Sequence, residues 1–134
     1  MRTKIKIIDG NNQFLINYAK ATSYQDLVRR CQQLNFGADF VYWTFDGMDS
    51  RAQRRALYPE YKNTASRAKN KQDPTKYELL RQFKNEDLPN LGGVYIIEKA
   101  GVEADDIIRS LVRLVAGPNV DIEIVSNDGD LVDL

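Results

Sequence analysis

The chain has 134 residues, enough for one domain, and its 43% hydrophobic and 28% charged content is that of an ordinary globular protein. It holds 19 basic and 19 acidic residues, one cysteine and no histidine, which excludes an internal disulfide, Ser–His and Cys–His nucleophile pairs, and the commonest zinc ligand. No apolar run nears the roughly 20 residues of a membrane span, and the MRTKIKIIDG start lacks a signal-peptide pattern, so a cytosolic protein without a membrane partner is expected.

In chain order, Lys4–Ile8 alternates and then turns apolar before Asp9-Gly10, which predicts a buried strand ending in a turn. Phe14, Leu15, Tyr18 and Ala19 recur at helical spacing. Ser23 can cap a second helix through Leu34, with Leu27, Val28, Cys31 and Leu34 inward. Cys31 on that face is read as a buried, inert thiol. The β-branched and aromatic run Phe40–Phe45 predicts a second strand, again ending in Asp-Gly, at Asp46-Gly47. A short helix is expected from Ser50 to Tyr58, stopped by Pro59. The polar residues 62–73 have no core-facing stripe and predict a solvated, mobile segment. Pro74 suits the first turn of a helix carrying Tyr77, Leu80 and Phe83. Val94–Ile97 is a third predicted strand. A helix from Val102 to about Val115 opens with Glu103, Asp105 and Asp106 and ends at Gly117-Pro118. Ile122–Val125 is the fourth strand, leading to Asp128-Gly129-Asp130.

Strands alternating with helices predict an α/β fold with a mostly parallel sheet covered on both faces. Ligands of such sheets bind beyond the carboxyl ends of the strands, where Asp9, Asp46, Asp128 and Asp130 fall and the Glu103–Asp106 helix begins. Each acidic group has an ordinary explanation by itself. Asp-Gly after a strand makes turns, and acids at a helix start meet its dipole. Seven together would repel one another, and divalent cations relieve that repulsion. Oxygen-only ligation favours magnesium or manganese, and two such ions can hydrolyse a phosphodiester without histidine. The charge is also segregated: from Arg51 to Lys84 ten basic residues face three acidic ones, a net +7, leaving −7 elsewhere. A basic segment beside an acidic remainder suits a protein that grips a polyanion while holding cations.

Four motifs, IIDGNN (7–12), TFDG (44–47), GVEADDII (101–108) and VSNDGDL (125–131), together with RRALYPEYKNTASR (54–67), resemble the 5′-nuclease family. That family includes flap endonucleases, phage 5′–3′ exonucleases and the N-terminal domain of bacterial DNA polymerase I. The resemblance implies a PIN-like fold and cleavage of DNA at a 5′ end or flap in bacterial or phage replication or repair. It implies that Asp9, Asp46, Glu103 and Asp105 bind one ion directly or through water, with Asp106 adjoining. Asp128 and Asp130 contribute to the site and to a second ion. Lys62 would reach the scissile phosphate, with Asp9, Asp46 and Asp105 as its catalytic partners. Tyr61 would stack on a terminal base, and Arg54, Arg55 and Arg67 would hold phosphates. Residues 62–88 would form the family's arch or clamp, ordering around single-stranded DNA.

Family members continue beyond the DGD motif with further aspartates and a helix–hairpin–helix element. An N-terminal part of a longer protein is therefore expected, a monomer completed by a C-terminal part or a second chain. Asn127 stands where the family often has glycine or another small residue. Two other readings stay open: a PIN-type ribonuclease, and a nucleic-acid-binding fragment without complete catalytic machinery.

Overall fold

Strand β1 (Thr3–Asp9) is the axis of the sheet, because it is flanked on both sides and its last five residues are buried. The computed structural model describes residues 2–47 and 74–127. Around β1 lie β2 (Phe40–Phe45), β3 (Val94–Glu98) and β4 (Val120–Val125), in the order β3-β2-β1-β4 with every pairing parallel. The chain builds outward from β1 through β2 to β3, then crosses back to place β4 on the other side of β1. The order therefore reverses between β1 and β4, the point at which open parallel sheets bind ligands.

The period-2 pattern of the strands divides the core into two layers. On one face Ile8, Val41, Trp43 and Phe45 pack against three helices: α1 (Gly10–Lys20), α2 (Tyr24–Gln33) and α3 (Pro74–Gln82). Their inward residues include Phe14, Leu27, Cys31 and Leu80. On the other face Ile5 and Ile7 meet Ile107, Ile108 and Leu111. These three come from α5 (Ala104–Val115), whose apolar stripe recurs at helical spacing. Each fully buried large side chain contributes about 1.5–3 kcal/mol through the area it removes from water.

Local signals set the element ends. The Ser23 hydroxyl accepts the Asp26 N–H at 3.1 Å, as its capping position predicts. Burial pushes the Cys31 thiol up to about 12, consistent with the inert reading. Lys6, which alternation alone would send to solvent, is buried. Its ammonium donates to the Leu34 and Phe36 carbonyls, each at 2.8 Å, closing the C-terminal end of α2.

After Gln82 the helix continues as a π turn (Phe83–Asp87) into a short α4 (Leu88–Leu91). Phe83 and Leu88 are fully buried, and the Tyr24 hydroxyl donates to Asp87, tying the π turn to α2. Residues from 75 to 88, expected to belong to the arch, thus include core residues Leu80, Phe83 and Leu88. Their apolar spacing wins over the basic composition around it. Residues 62–73 and the helix expected at 50–58 lie outside the described residues. Among the described residues no helix is long and apolar enough to cross a membrane.

Candidate metal centre

The site starts from two Asp-Gly dipeptides, and the glycines explain why the aspartates come close. A Cβ on Gly10 would sit 2.5 Å from the Phe45 ring and 2.7 Å from the Thr44 carbonyl oxygen, so only glycine lets α1 start against the end of β2. A Cβ on Gly47 would lie 1.7 Å from the Lys99 carbonyl oxygen. The segment after β2 is thereby pressed onto the loop that leads into α5. Read from sequence as turn residues, both glycines serve close approach between elements.

Asp9 ends β1 and caps α1, accepting the Asn12 N–H at 3.4 Å. Its other carboxylate oxygen accepts the Ser126 hydroxyl at 3.1 Å from just beyond β4, so Asp9 sits at the β1–β4 switch point. The side chain of Asp46 accepts the Ala104 N–H at 2.8 Å and so occupies the N-terminus of α5. Its own N–H donates to the Asn11 side chain at 2.8 Å. Glu103 is 5% exposed and stands at the N-cap of α5, with Asp105 and Asp106 in its first turn. Arg109, one turn on, lies 3.6 Å from Asp105 and 3.4 Å from Asp106.

Burial and neighbouring carboxylates set the electrostatics of the described part of the cluster. Burial pushes the Asp9 carboxyl up to about 6; the Asp46 and Asp105 charges push in the same direction, while bonds from Ser126 and Asn12 oppose. Burial also raises Asp105, assisted by Asp106 and Glu103 and opposed by Arg109. The N-terminus of α1 offsets part of this cost for Asp9, which caps that helix.

Asp9, Asp46 and Asp105 are therefore coupled at one sheet edge, with Glu103 and Asp106 adjoining. Among the described residues, however, no group of three or more Asp, Glu or Cys side chains is arranged to hold a metal ion. Among the described residues, Asp9, Asp46 and Asp105 are linked by electrostatic coupling. Asp128, Asp130, Arg54, Arg55, Tyr61, Lys62 and Arg67 lie outside the described residues. A buried carboxylate with a raised pKa among other carboxylates is nevertheless a donor set that fits a hard divalent cation.

Asn11, Asn12, Ser126 and Arg109 join the site from outside the predicted acidic set. Asn12 accepts the Asn127 N–H at 3.0 Å, so the two asparagines after Asp9 bind the ends of β2 and β4 to α1. Their signal was present, since both lie in the IIDGNN motif. Arg109 was legible from its spacing of four from Asp105 and three from Asp106.

An α/β domain with a parallel sheet and coupled carboxylates at its switch point is the class these features define. The family described as "5'-3' exonuclease, N-terminal resolvase-like domain" matches residues 18–134, and the chain belongs to it. A 5'-3' exonuclease of Mycoplasma pneumoniae is 41% identical over 83 residues, covering 60% of this chain and 26% of that protein. The T5 D15 protein co-crystallised with metal ions superposes with a TM-score of 0.67 at 22% identity, over 95% of this chain and 49% of that one. The bacteriophage T5 D15 flap endonuclease in a pseudo-enzyme–product complex with DNA and metal ions gives a TM-score of 0.61, also at 22% identity, over 94% and 49%. These structures share the fold. The chain spans 26% of the curated relative's length and about half that of the solved structures.

Proposed function

We propose that this chain forms the metal-binding N-terminal part of a 5′-nuclease that hydrolyses DNA phosphodiesters at a 5′ end or flap. The observation that carries the proposal is the coupling of buried Asp9 to Asp46 and Asp105 at the β1–β4 switch point. The relatives agree with it: an exonuclease by sequence and a flap endonuclease with DNA and metal ions by fold.

In this reading Asp9, Asp46, Glu103 and Asp105 hold one magnesium or manganese ion, with Asp106 adjoining, and Asp128 and Asp130 serve a second. When bound, the ions supply an activated water and charge stabilisation for the leaving oxygen. The chain's own residues do the rest. Asp9 and Asp46 are held by donors from the first turns of α1 and α5 and from Ser126 just beyond β4, which fixes their carboxylates before substrate arrives. Arg109 limits the repulsion between Asp105 and Asp106 without burying either. Lys62, Tyr61, Arg54, Arg55 and Arg67 are assigned to the DNA: Lys62 to the scissile phosphate, Tyr61 to a terminal base and the arginines to phosphates.

The test is cleavage of a labelled 5′-flap duplex by the chain and by a C-terminally extended form. Magnesium or manganese should support cleavage, and chelator should abolish it. Asp105→Ala should lower the rate by at least about a hundredfold without loss of the folded state. Cleavage that persists in chelator, or cleavage of RNA but not of DNA flaps, would overturn the reading.

A further inference from the structure

A pocket of about 180 Å³ opens beside the acidic cluster, between the end of β2 and the outer turns of α3 and the π turn. Asn11, Phe45 and Asp46 line it from the start of α1 and the end of β2, and Tyr77, Leu80, Arg81 and Lys84 line it from α3 and the π turn. The two walls carry opposite charge. Lys84 is already committed, since its ammonium pairs with Glu98 and lies 6.0 Å from the Phe45 ring centroid. Arg81 is exposed, and no carboxylate among the described residues pairs with it.

We infer that this pocket is a nucleotide subsite in which Arg81 holds a phosphodiester neighbouring the scissile one and Tyr77 lies against the attached sugar and base. The inference rests on the nuclease reading and assigns part of its substrate path to residues that carry none of the metal site. Its chemistry follows from the walls. A planar guanidinium without an acidic partner is a bidentate donor for phosphate oxygens. An aromatic beside it gives a sequence-tolerant surface for a sugar and base. Asp46 is shared by the pocket and the acidic cluster, so a strand seated here passes the cluster with one phosphate on the cationic wall. Because α3 and the π turn are anchored through Leu80 and Phe83, Arg81 projects from a fixed helix.

Two measurements on the full chain test this. Binding of a labelled 5′-flap duplex is followed by anisotropy, with calcium in place of magnesium, for the wild type, Arg81→Ala and Arg81→Lys. Arg81→Ala should weaken binding about tenfold, reduce the salt-dependence slope by about one, and raise KM with little change in kcat. Arg81→Lys should recover only part of the loss, keeping the salt-dependence slope but not the bidentate contact, and melting temperatures of all three should agree. Thymidine 5′-monophosphate, titrated into isotopically labelled chain with calcium present, should shift the amide signals of Tyr77, Arg81 and Lys84, and Arg81→Ala should remove those shifts. If the chain cleaves flaps yet Arg81→Ala matches wild type in binding, slope and KM, the subsite is wrong and the nuclease reading stands. If the nucleotide shifts the pocket signals but neither the chain nor its C-terminally extended form cleaves flap DNA, the subsite stands and the nuclease reading falls. Nucleotide shifts confined to other residues would overturn the subsite.

Discussion

Asp9 shows how one residue can be costly to the fold and useful to the site. Its folded-state pKa of about 6 lies above the ordinary carboxylate value, chiefly through burial. The native state therefore binds a proton more tightly than the unfolded state does. Below about pH 4 both states are protonated and no penalty exists; as pH rises through 6 the native carboxylate must ionise, and stability falls. The difference amounts to roughly 3 kcal/mol. Asp26, held below the usual range mainly by Arg30, and Asp121, lowered by Arg2, titrate in the opposite sense, so the comparison must be with a variant. In chelator, wild type should lose stability between about pH 4 and 6.5 relative to Asp9→Asn, as urea denaturation at stepped pH would record. Parallel pH profiles for the two proteins would remove the burial account of Asp9.

At the scale of the element, what was legible depended on whether the signal was local. Ser23 as a cap, the β2 run and the Pro74 helix start are written in neighbouring residues, and the structure has them where spacing predicts. Lys6 is different: its partners are carbonyls at the end of α2, 28 and 30 residues away, so alternation could not reveal its burial. The π turn at Phe83–Asp87 was also hidden. Phe83 follows the helical spacing from Leu80, but no local composition marks the wider turn that leads from it to the buried Leu88. The acidic positions of the site were readable, because strand ends and helix starts place them. The clamps that hold them, Asn11 to Asp46 and Ser126 to Asp9, join residues 35 and 117 apart and needed the fold. Gly47 belongs to the same class, with its reason lying in the Lys99 backbone. Gly47→Ala should destabilise by about 3 kcal/mol, since backbone and not a flexible side chain meets the new methyl. A melting temperature within a degree of wild type would show that the two loops are not pressed together.

For the whole molecule, the sheet order gathers charges that the sequence keeps far apart. Crossing back from β3 to β4 puts Ser126 beside Asp9, while β2 brings Asp46 to the start of α5. The result is a domain whose two apolar layers carry one electrostatically unfavourable edge. A divalent cation bound there would relieve that edge. The direct measurement is thermal unfolding at pH 7.5 in chelator and in magnesium or manganese, for wild type and Asp9→Asn. At a hundredfold excess over the dissociation constant the ion should raise the wild-type melting temperature by roughly 5–10 °C, and Asp9→Asn by much less. No rise with either ion, or an equal rise in both proteins, would contradict the metal centre.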